Sequence, residues 1–171
     1  ANPYVKIARE SLNHYYSSGH LMAKPINLSK ELSKDRGGVF VSLKKNGLLR
    51  GCMGTFLPTT DSIAEEIIKN VVLAATQDPR FERVSEDELL DLDISVDVLE
   101  RPHKATKEEL DPKKYGVIAI QGHKKGLLLP DLEGVDTVEQ QLKIACEKAG
   151  ISLDEEYDIE RFKVTRYKEG E

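Results

Sequence analysis

The sequence predicts an α+β fold made of two related hairpin–helix–strand halves packed around a cleft, with mixed β-sheets flanked by helices. Three observations carry this expectation. An alternating hairpin, a helical apolar stripe and a further strand follow one another at 38–54, 62–77 and 93–99. The same order returns at 116–129, 137–149 and 160–166. The two series also start alike, with Gly38-Val39-Phe40-Val41 in one and Gly116-Val117-Ile118-Ala119 in the other. Residues 1–171 are read as a single domain, with sub-lobes at about 1–105 and 106–171.

The elements follow in order. Tyr4, Val5, Ala8 and Leu12 recur at helical spacing, and Gly19 ends that helix. Leu21 to Asp35 contains Pro25 and little periodicity, so a connection with about one helical turn is expected there. Val39 to Leu43 alternates as a strand. Asn46-Gly47 supplies the two φ > 0 residues of a type I′ hairpin turn, and the returning strand delivers Arg50 and Cys52.

Ser62 with Glu65 forms a capping box ahead of Ile63, Ile67 and Val71, a helix that Pro79 stops. Phe81 is expected in the core, and Ser85 with Glu88 caps another short helix. Leu92, Ile94, Val96 and Val98 alternate with Asp91, Asp93, Ser95 and Asp97, the pattern of a strand buried on one face. The aspartates read as a solvated face rather than a hard-cation site. His103 falls in a loop, 115–120 is a strand, and 122–126 turns it with His123 at the tip. Asp136 or Thr137 caps the helix of Val138, Leu142, Ala145 and Ala149, which Gly150 closes with Cys146 packed on its stripe. Phe162, Val164 and Arg166 mark a last strand.

Composition excludes several functions. Hydrophobic content of 39% and charged content of 32% describe a globular protein, and no apolar run is long enough for a bilayer. A net charge of −5 with scattered Lys and Arg shows no basic stripe, which disfavours nucleic acid. Cys52 and Cys146 lie far apart, Ala1-Asn2-Pro3 opens no signal peptide, and two free thiols in a reducing cytoplasm are expected. No ligands fall at zinc-finger spacing, so no metal is expected. His14, His20, His103 and His123 read as surface residues.

Chemistry concentrates in Leu49-Arg50-Gly51-Cys52-Met53-Gly54-Thr55. Read as a loop, its glycines would allow φ > 0, and successive backbone N–H groups could cradle an anion. Arg50 adds a planar fork suited to a carboxylate or phosphate. Cys52 is either a small buried residue or a thiol placed for chemistry. In Asp78-Pro79-Arg80-Phe81, Arg80 either pairs with Asp78 or faces the same cleft as Arg50.

These segments resemble the AMMECR-one domain family. The resemblance rests on Gly38-Val39-Phe40-Val41-Ser42-Leu43, the Arg50 to Gly54 run, Asp78-Pro79-Arg80-Phe81 and Gly126-Leu127-Leu128-Leu129-Pro130, and covers nearly the whole chain. Met53 and Val71 are mild departures from the family pattern. Leu129-Pro130-Asp131-Leu132-Glu133-Gly134-Val135-Asp136 is similar to the bacterial AmmeMemoRadiSam form, in which this domain follows a Memo-type domain similar to extradiol dioxygenases. A start without Met then fits an excised C-terminal domain.

The resemblance implies an α+β fold, a Memo-type partner domain in cis or trans, and a radical SAM protein nearby. It implies no cofactor in this domain, since any iron would belong to the partner. It supplies no reaction.

Two functions therefore compete. One is a ligand-binding accessory domain of a modifying or biosynthetic system, holding a small anionic ligand with Arg50, Gly51, Met53, Gly54, Asp78 and Arg80. The other is a thiol-dependent enzyme with Cys52 as its nucleophile, for which the sequence offers no neighbouring base.

Overall fold

The structure is a computed structural model that describes residues 2–170. It divides into two compact units. One runs to Leu99 and takes in the stretch from Thr165, and the other is Glu100–Val164.

The first unit opens with α1 (Pro3–Ser18). The Asn2 side chain accepts from the Tyr4 N–H at 2.8 Å, and Gly19 closes the helix at φ 80°. Its buried face includes Tyr4, Val5, Ala8 and Leu12, as the spacing predicts. The following connection holds only the short α2 (Lys30–Lys34). Strands β1 (Val39–Lys45) and β2 (Leu48–Thr55) are joined through Asn46 and Gly47 at φ 53° and 78°. Ser62 then caps α3 (Ile63–Thr76), accepting from the Glu65 N–H at 3.2 Å. A short 3₁₀ helix, Glu86–Asp91, leads into β3 (Leu92–Leu99).

The second unit contains β4 (His103–Lys104), β5 (Gly116–Gln121), β6 (Lys124–Leu128), α4 (Val138–Ala149) and β7 (Asp158–Phe162). Thr137 and Gln140 form the capping box of α4, and Gly150 ends it at φ 74°. Val117, Ala119, Leu128, Leu142, Ala145 and Cys146 belong to its core. The last strand, β8 (Val164–Lys168), joins the sheet of the first unit.

The expected α+β class is observed. The sheet orders are β2-β1-β3-β8 and β4-β7-β5-β6. In each, the first strand of the hairpin lies between its mate and the strand that follows the helix. Each hairpin also packs on the helix that follows it.

Several expectations are corrected. The sheets were expected to be mixed, but β1 pairs antiparallel with both β2 and β3, and β5 with both β6 and β7. In each half a helix connects the second hairpin strand to the third strand, so these two run the same way and both lie antiparallel to the strand between them. Residues 160–166 are not one strand, because the chain breaks at Lys163 and its two sides enter different sheets. His103 is in a short strand paired to Arg161. The second hairpin turns at Gly122-His123 alone, since Gln121 already pairs with Lys124. Phe81 is only half-buried, with the Arg80 guanidinium 5.3 Å from its ring centre. Asp97 is buried rather than solvated, and takes both arms of Arg166 at 2.8 and 2.9 Å.

Candidate functional site

The segment expected to be a glycine loop is the extended edge strand β2. Neither Gly51 nor Gly54 has a positive φ. Both are glycines for want of space. A Cβ on Gly51 would lie closer than 3.0 Å to the Ala74 carbonyl oxygen, and one on Gly54 would lie 2.6 Å from the Phe40 ring. The first glycine lets α3 lie directly on β2, and the second lets β2 close onto β1.

Strand alternation then sorts the motif. Gly51 faces α3, and Met53, on the same side, packs against the core of the first unit. Cys52 points to the opposite face and is half-buried, where Ser42 Oγ donates to its Sγ at 3.5 Å. Ser42 and Cys52 are register partners on β1 and β2, which explains the contact. Gly51 and Met53 therefore shape the scaffold behind Cys52 and do not share its surface.

The backbone N–H of Cys52 points off the sheet edge. It donates to Asp78 Oδ2 at 3.0 Å. Asp78 follows the end of α3, where Pro79 prevents further helix, and its side chain is 3% exposed. The same carboxylate accepts from the Arg80 N–H at 3.0 Å, from Nε at 3.1 Å and from Nη2 at 2.8 Å. These bonds, led by those from the Arg80 side chain, hold the Asp78 carboxyl well below the usual carboxylate range. Arg80 is raised in turn, chiefly by Asp78 with a smaller contribution from the nearby Cys52 sulfur. Its side chain remains 58% exposed.

Arg50 is differently placed. Its Nε and Nη2 both donate to Glu88 at 3.1 Å, and its other bonds go to the carbonyls of Glu82 and Arg83. The Arg50 fork, together with the Ser85 backbone and Lys45, lowers the Glu88 carboxyl to about 2. Arg50 thus fastens the 82–88 segment to the start of β2. Of the two arginines, Arg80 has the open guanidinium.

Among the described residues, no histidine hydrogen-bonds to Cys52, and no group of His, Cys, Asp and Glu is arranged to hold a metal ion. No helix of the described residues is long and apolar enough to cross a membrane.

The AMMECR1 family profile matches residues 5–170. The chain belongs to the AMMECR1 family. A Clostridium acetobutylicum protein is 60% identical over 169 residues, covering 98% of this chain and 36% of that protein. A Thermotoga maritima protein is 52% identical over 170 residues, 98% of each chain. The crystal structure of an uncharacterized Pyrococcus horikoshii protein matches with a TM-score of 0.81 at 30% identity, covering 98% of this chain and 90% of that one. The chain thus spans little more than a third of the Clostridium relative and nearly all of the Thermotoga one.

Within this AMMECR1 domain, sequence reasoning missed two site neighbours. Ser42 is legible only once the hairpin register is known. Glu88 was visible as part of a capping box, and that role is real, since its Oε2 accepts from the Ser85 N–H at 2.8 Å. Nothing local signals that it also receives Arg50, 38 positions earlier.

Proposed function

We propose that this AMMECR1 domain binds a small anionic ligand, carboxylate or phosphate, beside Cys52. One observation carries the reading: a buried carboxylate, Asp78, fixes both the Cys52 backbone and an exposed guanidinium. Holding Arg80 in place lowers the ordering cost of binding and leaves its outer edge for a partner. Arg50 takes the structural part, and Gly51, Met53 and Gly54 set the strand geometry. The accessory role is a proposal from the family resemblance, as are the Memo-type and radical SAM partners. The longer Clostridium relative is compatible with a fused arrangement.

Titration calorimetry with inorganic phosphate, acetate and citrate tests the site. Arg80→Gln should weaken binding of the best anion about tenfold or more, because a charge-assisted bond contributes roughly 1.5–3 kcal/mol. Cys52→Ser should largely keep it. If Arg80→Gln binds as well as the native protein, the site is elsewhere. If Cys52→Ser alone abolishes binding, the thiol reading takes precedence.

A further inference from the structure

The second unit carries a surface that the Cys52 site does not use. Val138 and Leu142 of α4, with Leu153 and Tyr157, line a hollow of about 490 Å³. A second hollow of about 540 Å³ adjoins it across Leu153 and Tyr157, and Glu155, Glu156 and Asp158 line it. Leu153 is 49% exposed on the ridge between them. The Tyr157 hydroxyl is buried, and among the described residues it has no hydrogen-bond partner.

The charges around this groove are one-sided. Glu108 and Glu139 rim the apolar hollow, and Glu155, Glu156 and Asp158 rim the other. None of these five carboxylates forms an ion pair among the described residues. Among the residues lining the two hollows, the one cation is Lys107, which lines both. An apolar hollow beside a net-acidic one is complementary to a chain segment with apolar side chains followed by basic ones. Both hollows are open to solvent, which admits side chains projecting from a peptide.

We infer that this groove docks a basic, leucine-bearing peptide segment of a partner protein. Apolar side chains enter between Val138, Leu142 and Leu153, and basic ones meet Glu155, Glu156 and Asp158. Association should weaken with salt, since the acidic rim is solvent-exposed.

The test uses the full chain and a fluorescein-labelled nonapeptide with two leucines followed by three lysines, read by anisotropy. Saturable binding is expected. It should weaken about tenfold in Leu153→Ser and in the double variant Glu155→Lys/Glu156→Lys. Glu10→Lys on α1, the same kind of charge reversal on an exposed residue of the first unit, should change it little. These side chains are exposed, and circular dichroism checks that each variant folds. The inference is overturned if the nonapeptide does not bind, if the three variants bind alike, or if an all-lysine peptide or spermine binds as tightly.

Discussion

Gly51→Ala tests whether the glycine before Cys52 is there because α3 packs against it. The added Cβ would fall closer than 3.0 Å to the Ala74 carbonyl oxygen and 3.1 Å from its carbon. Both are backbone atoms, so no rotamer change relieves the clash, and α3 must retreat from β2. That movement would loosen Val71, Ala74 and Ala75, each at most 2% exposed in the core. Overpacking of this kind costs about 1–3 kcal/mol. With no clash, Gly to Ala in an extended strand should instead stabilise by roughly 0.5–1 kcal/mol. The two accounts therefore predict opposite signs.

We expect a net loss of about 2 kcal/mol, a large part of the ~5–15 kcal/mol that holds a domain folded. Urea unfolding followed by far-ultraviolet circular dichroism would show a lower midpoint with an unchanged slope. An unchanged or raised midpoint would refute the packing account.

Two further outcomes follow from the same contacts. Glu88 has a folded pKa of about 2 against an ordinary 4.5, so its contribution is complete above about 4.5 and is lost as the pH falls towards 2. Glu88→Gln should cost about 1–2 kcal/mol near neutrality, allowing for solvent screening, and should flatten the acid limb of stability; an unaltered limb would contradict this. Iodoacetamide should label Cys52 much faster than Cys146, which is 1% exposed and whose thiol burial pushes up. Equal native rates read by mass spectrometry would contradict the placement of both.

What was legible in the sequence was local. The Asn46-Gly47 turn, the Ser62 and Thr137 caps and the Gly19 and Gly150 stops depend on φ preferences and on hydrogen bonds only a few residues long. The errors came where distant segments decide. Glycines at 51 and 54 resemble turn residues until the Ala74 carbonyl and the Phe40 ring are seen against them. Once 48–55 is a strand, alternation alone separates Cys52 from Gly51 and Met53. The break at Lys163 had no signal, because apolar and polar residues alternate through it without glycine or proline. Asp97 was read as solvated because Arg166, its partner, is 69 positions away.

The repeated architecture separates scaffold from chemistry. Gly126 in β6 meets the Ala145 carbonyl of α4 as Gly51 in β2 meets Ala74 of α3, and in neither place is there room for a side chain. Both halves thus solve one packing problem, laying a helix on a hairpin, by the same means. Features that the two halves share are accounted for by that requirement. The bonds from Asp78 to the Cys52 backbone and to Arg80 lie outside it, since the glycine contact already seats α3 on β2. A buried carboxylate that arranges an exposed guanidinium beside a thiol answers no need of the helix–hairpin unit. The proposed anion site, at Cys52, Asp78 and Arg80, is thus something the first half adds to the common plan.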